Sequence, residues 1–121
     1  MNFPSLSSGL LAASALLFNS CAPRALRVGD SAQELKSVKD NWWEFFQREN
    51  PETATSLGEY KYNDKLSNYS PSHIPQVRNE AAALLARLRA IPAKGLSETD
   101  QLDHALLIDT CLLYTSDAAD E

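Results

Sequence analysis

Apolar side chains recur at intervals of three and four along most of the chain after its first thirty residues, which is the spacing that aligns them on one face of a helix. Leu35, Val38, Trp42, Phe45 and Phe46 form the first such stripe. Ser31 and Glu34 ahead of it stand at the spacing of a capping box, so a helix is expected from Ser31. It should stop at Asn50, because Pro51 disfavours helical geometry in its predecessor. Pro51 then opens a short second helix, with Asn50 as its cap and Gly58 terminating it after Leu57.

Residues 59–69 alternate aromatic and polar side chains without a helical period. A lone strand around Tyr60 and Tyr62 would have nothing to pair with, so a loop packed by its tyrosines is expected. Ser70 and Pro71 repeat the cap-then-proline start, and Ile74, Val77, Ala81, Leu84, Leu85, Leu88 and Ile91 follow as the clearest stripe of the sequence. Pro75 falls in the first turn, where its missing N–H has no intrahelical partner. Pro92 and Gly95 end this helix; Ser97 and Asp100 begin another, with Leu102, Ala105, Leu106 and Ile108 as its expected apolar face. The fold class expected is all-α, an irregular helical array forming the incomplete amino-terminal part of a larger helical domain.

The amino terminus departs from this pattern. Leu10, Leu11, Ala12, Ala13, Ala15, Leu16, Leu17 and Phe18 form an apolar run too short to span a bilayer, for which about 20 apolar residues are needed. Ser20 before Cys21 at its end resembles the bacterial lipoprotein signal, in which the cysteine becomes the lipidated first residue of the mature protein. Phe18 stands where leucine is usual, and no Lys or Arg precedes the run. The alternative is an ordinary cleaved signal peptide with an incidental cysteine. Residues 22–30 mix Pro, Gly and charge without period and read as a tether.

The carboxyl terminus departs from it as well. Residues 111–121, CLLYTSDAADE, resemble an in-frame translation of a transposon-type sequencing adapter. The expectation is that native sequence ends near Thr110, with a genuine amphipathic tail as the alternative. Asp117, Asp120 and Glu121 supply three of the 16 acids, and without them the formal charge falls from −5 to −2. The acidic balance therefore points to no partner, and no clustered Lys and Arg suggest nucleic acid. Cys111 belongs to the tail and Cys21 to the leader, so no intrachain disulfide is expected.

Residues 1–110 carry no catalytic signature. His73 and His104 are far from the one-turn spacing of an H-E-x-x-H zinc site, no serine sits in a nucleophile elbow, and four glycines form no phosphate loop. Asp103 and His104 read as a surface pair, and Glu49, Glu52 and Glu59 as solvated helix-end charges. Trp42, Trp43, Phe45 and Phe46 read as core, with Trp43 available to a second interface.

Three segments together resemble the opening of the bacterial domain of unknown function 885 family: Trp42-Trp43-Glu44-Phe45-Phe46, the run NPETATSLG over residues 50–58, and Tyr62-Asn63-Asp64-Lys65-Leu66 before Ser70-Pro71. The helix bearing Leu84, Leu85, Leu88 and Ile91 and the segment from Leu96 to Leu106 follow that family's order, so the resemblance spans residues 35–109. It implies a largely helical, exported or lipid-anchored parent related to H-E-x-x-H zinc metallopeptidases. There two histidines and a glutamate bind zinc, and the motif glutamate activates a metal-bound water for attack on a peptide carbonyl. Those residues lie far downstream and none maps onto this chain, so no catalytic, metal or cofactor-binding residue is carried over.

The expected organisation is a signal peptide over residues 1–20, a tether over 21–30 lipidated at Cys21, helices over 31–110 and a non-native tail over 111–121. The expected protein is the amino-terminal segment of an exported zinc-dependent peptidase. It would be lipid-anchored or periplasmic in the bacterial envelope, with a membrane surface and a peptide substrate as the parent's partners and zinc as the parent's cofactor. The alternative is a small, non-enzymatic helical envelope lipoprotein that binds a partner.

Overall fold

The computed structural model describes residues 28–116, so the leader, the greater part of the tether, Cys21 and the last five residues lie outside the described residues. Four helices form: α1 (Val28–Glu49), α2 (Pro51–Ser56), α3 (Ile74–Ala90) and α4 (Glu98–Ser116). Among the described residues there is no strand, only an isolated bridge between Lys94 and Leu96. The protein is all-α. None of these helices is long and apolar enough to cross a membrane.

The core is the meeting of three stripes. Leu35, Val38 and Phe45 of α1 pack with Ala81, Leu84, Leu85 and Leu88 of α3, and with Cys111 of α4. Ile91 and Leu96 close the end where α3 turns into α4. α3 and α4 share the most extensive contact, and α1 lies across both. Phe45 is 1 % exposed and meets Tyr114 edge-on, with ring centroids 5.3 Å apart.

Local chemistry sets the ends of the elements. α1 stops at Glu49 as Pro51 requires, and Pro51 begins α2. α2 ends in a Schellman motif: Glu59 N–H donates to the Ala54 carbonyl at 2.9 Å and Gly58 N–H to that of Thr55 at 3.0 Å. This closure needs a left-handed residue, and Gly58 supplies it at φ +92°. α4 starts where Ser97 and Asp100 predict. The Asp100 N–H donates to Ser97 Oγ at 3.1 Å, and that hydroxyl donates to Asp100 Oδ2 at 2.8 Å.

Four expectations are corrected. α1 already runs through residues 28–30, so these belong to the helix and not to the tether, and Ser31 is buried within it instead of capping it. Glu34 is drawn away to Arg87, whose Nε donates at 2.9 Å, because an interhelical charge pair outweighs a local cap. α3 starts at Ile74 and not at Ser70, since residues 71–73 form a turn that hangs from the Ser70 carbonyl. Of the four aromatics only Phe45 is core: Trp42 and Phe46 are half-buried and Trp43 is 37 % exposed, with Phe46 stacked on both indoles. α4 turns a different face inward from the one expected. His104, Leu107, Ile108 and Cys111 face the core, while Leu102, Ala105 and Leu106 are exposed.

Truncating Phe45 removes a ring at the centre of this core, so Phe45→Ala should cost about 3–5 kcal/mol, whereas Trp43→Ala should cost less than about 1. Urea unfolding followed by helical circular dichroism checks the contrast. Burial pushes the Cys111 thiol pKa up, which lowers its thiolate fraction at neutral pH. Alkylation of Cys111 should therefore be slow in the native chain and fast in urea, as followed by peptide mass mapping.

Candidate functional site

The turn between α1 and α2 gathers most of the polar chemistry. Pro51 halts α1 so that Glu49 leaves its last turn toward His73, just before α3, and Asn50 toward the end of α4. Glu49 Oε2 lies 2.7 Å from His73 Nε2, and Arg48 Nε donates to Glu49 Oε1 at 2.9 Å. Arg48 also reaches Glu80 Oε2 at 2.5 Å, which holds its pKa above the ordinary arginine value. A run of polar contacts from Glu80 through Arg48 and Glu49 to His73 thus ties α1 to α3, and the Glu49 side chain is only 10 % exposed. Asn50 occupies the N-cap position of α2 but makes no side-chain cap. Its Nδ2 donates instead to the Phe46 carbonyl at 3.1 Å and to the Tyr114 hydroxyl at 3.0 Å.

Beside this elbow lies a cavity of about 300 Å³. Ile74, Val77, Tyr69 and Tyr114 give it apolar and aromatic walls, Asn50 and Asn68 contribute amides, and Glu49 and Arg78 contribute charge. A second opening of about 310 Å³ lies between α1 and α4, lined by Trp42, Trp43, Leu106, Leu107 and Thr110 with the Lys39–Asp103 ion pair at its edge. That pair raises the lysine pKa through the hydrogen bond from Lys39 to Asp103. The Trp42 Nε1–H is buried there and has no hydrogen-bond partner among the described residues.

The loop after α2 is held to α1 by a third cluster. Lys61 Nζ donates to Glu44 Oε1 at 2.6 Å, and the Tyr62 hydroxyl donates to the same oxygen. The lysine and then the tyrosine hold the Glu44 pKa below its ordinary value, while Glu44 raises that of Tyr62. Lys61 and Lys65 both lie over the Tyr62 ring, at 5.3 and 5.1 Å from its centroid. Glu52 anchors the far end of the loop by accepting from Ser67 N–H at 2.9 Å and Ser67 Oγ at 2.6 Å.

Against the sequence-derived candidates, Cys21 lies outside the described residues. Glu49 is not a solvated helix-end charge, because its side chain is 10 % exposed and meets His73, whereas Glu52 and Glu59 are exposed as expected, with Glu52 also accepting from Ser67. Asp103 and His104 are not a surface pair: Asp103 reaches back to Lys39, and His104 turns inward, 8 % exposed, with Nε2 donating to the Leu88 carbonyl at 2.8 Å. Neither Tyr60 nor Tyr62 lines the elbow cavity. Among the described residues no three His, Cys, Asp or Glu side chains group as a metal site, and both histidines are committed elsewhere. These residues do not fit zinc. Sequence reading missed Arg78 and Asn68, which lie in segments without a motif and meet only because the loop folds back on α3.

The Glu44 clip carries a pH signature. A carboxylate with a lowered folded pKa contributes stability above its ordinary value of 4.5 and loses it as pH falls through the lower folded value. The exposed geometry keeps this below about 1 kcal/mol. Tyr62 ring resonances should stay fixed from neutral pH down to that value and move below it, and Glu44→Gln should show the moved positions at neutral pH. No family model, curated protein or solved structure matches the chain.

Proposed function

We infer that residues 28–110 are the amino-terminal helical part of a larger exported protein, anchored to a bacterial membrane by lipid on Cys21, and that residues 111–121 are foreign to it. By the family resemblance the parent is a zinc-dependent peptidase acting on peptides. Its catalytic residues lie downstream of Thr110, so this chain itself holds no active site.

The observation that carries this reading is the uncovered apolar face between α1 and α4. Trp43 and Leu106, 37 % and 55 % exposed, line the groove between these helices, and Leu102 on α4 is 60 % exposed. Exposed apolar side chains gathered along a groove mark a surface that meets something else, and further helices of the same polypeptide would cover it.

A second reading, a small helical envelope lipoprotein that binds a partner without chemistry, is favoured by the packing of the tail. α4 continues through Cys111, which is 0 % exposed, to Tyr114, which packs on Phe45 and accepts from Asn50.

Recovery of the gene beyond the codon for Thr110 separates the two readings. The first expects an open frame that diverges from the sequence of residues 111–121 and encodes an H-E-x-x-H helix. A stop codon directly after the tail, or a long frame without that motif, would overturn the peptidase assignment.

A further inference from the structure

We propose that the cavity at the α1–α2 elbow binds a monocarboxylate with an apolar body, its carboxylate paired with Arg78. Arg78 is the only cation lining the cavity, and among the described residues it has neither an ion-pair nor a hydrogen-bond partner. The other arginines near α1 are engaged: Arg48 with Glu49 and Glu80, Arg87 with Glu34. The half-buried guanidinium presents a planar fork of donors matched to a carboxylate, and none of its nitrogens is sealed from solvent, so the fork is open to a ligand.

The rest of the lining fits such a ligand. The Asn50 and Asn68 amides add polar groups near the charge, while Ile74 and Val77 form an apolar wall. The volume, about 300 Å³, is at the small end of ligand pockets. Glu49 also lines the cavity, and its charge opposes a dianion such as phosphate. The polar groups offered to the ligand all lie before residue 111, while Tyr114 of the tail completes the aromatic wall and holds the Asn50 amide, so the site belongs to the chain with its tail and needs no downstream residue of the proposed peptidase.

Titration of the full chain with phenylpropionate, followed by amide and methyl resonances, tests the proposal. Saturable shifts should centre on Asn68, Ile74 and Val77. Neutral phenylpropanol and inorganic phosphate should each bind at least about tenfold more weakly, the scale of one lost charge-assisted hydrogen bond. Arg78→Gln should weaken phenylpropionate by a similar factor with helical circular dichroism unchanged. Ile74→Trp, which keeps the arginine and fills the cavity from an exposed position, should do the same. Equal affinity for phenylpropanol or phosphate, unaltered binding by either variant, shifts centred elsewhere, or no saturable binding would overturn it.

Discussion

The break at Asn50-Pro51 is the constraint on which the rest of the structure depends. Without it α1 would run on along its own axis, and residues 51–73 would have no route back to the core. Pro51 ends one helix and begins another, and it is itself buried, so the change of direction is packed as well as encoded. The short α2 then closes on Gly58, whose left-handed backbone turns the following loop back toward α1. Three polar contacts depend on that return: Glu44 with Lys61 and Tyr62, Glu52 with Ser67, and Glu49 with His73. The elbow cavity is the space left between the returning loop, the start of α3 and the last turn of α1.

The face that α4 presents follows from a second constraint, the satisfaction of a buried imidazole. α4 is apolar on several sides, so hydrophobicity alone does not choose its orientation. Turning His104 inward gives its N–H the Leu88 carbonyl and places the small Cys111 at the close approach of the helices. Leu102 and Leu106 then fall outward, Leu106 beside Trp43. The same rotation that satisfies the histidine creates the exposed apolar face from which a larger parent is inferred.

Legibility in the sequence followed the strength of local signals. The stop at Asn50, the short helix to Gly58 and the start at Ser97 each rest on a proline, a glycine or a capping hydroxyl, and each is present; the loop over residues 59–69 follows from the loss of period, but Tyr60 and Tyr69, 65 % and 79 % exposed, do not pack it as expected. The stripe from Ala81 to Ile91 is strongly periodic and is buried as expected. The start of α1 was not legible, because Glu34 has a distant partner in Arg87 that no local pattern encodes. α4 was misoriented because its apolar residues surround the helix, leaving the choice of face to a tertiary hydrogen bond. The elbow cavity left no trace in sequence: Asn50, Asn68 and Arg78 belong to three different elements and have no common motif.

Whether the elbow and the helical core form one cooperative unit can be measured at Gly58. A Cβ there would meet no atom within 4 Å, so Gly58→Ala perturbs the left-handed backbone alone and should cost about 1 kcal/mol. Native-state hydrogen exchange on that variant should show the most protected amides of α1, α3 and α4 losing protection together by this amount. Loss confined to residues 51–66, with α3 and α4 unchanged, would contradict the dependence of the fold on its elbow.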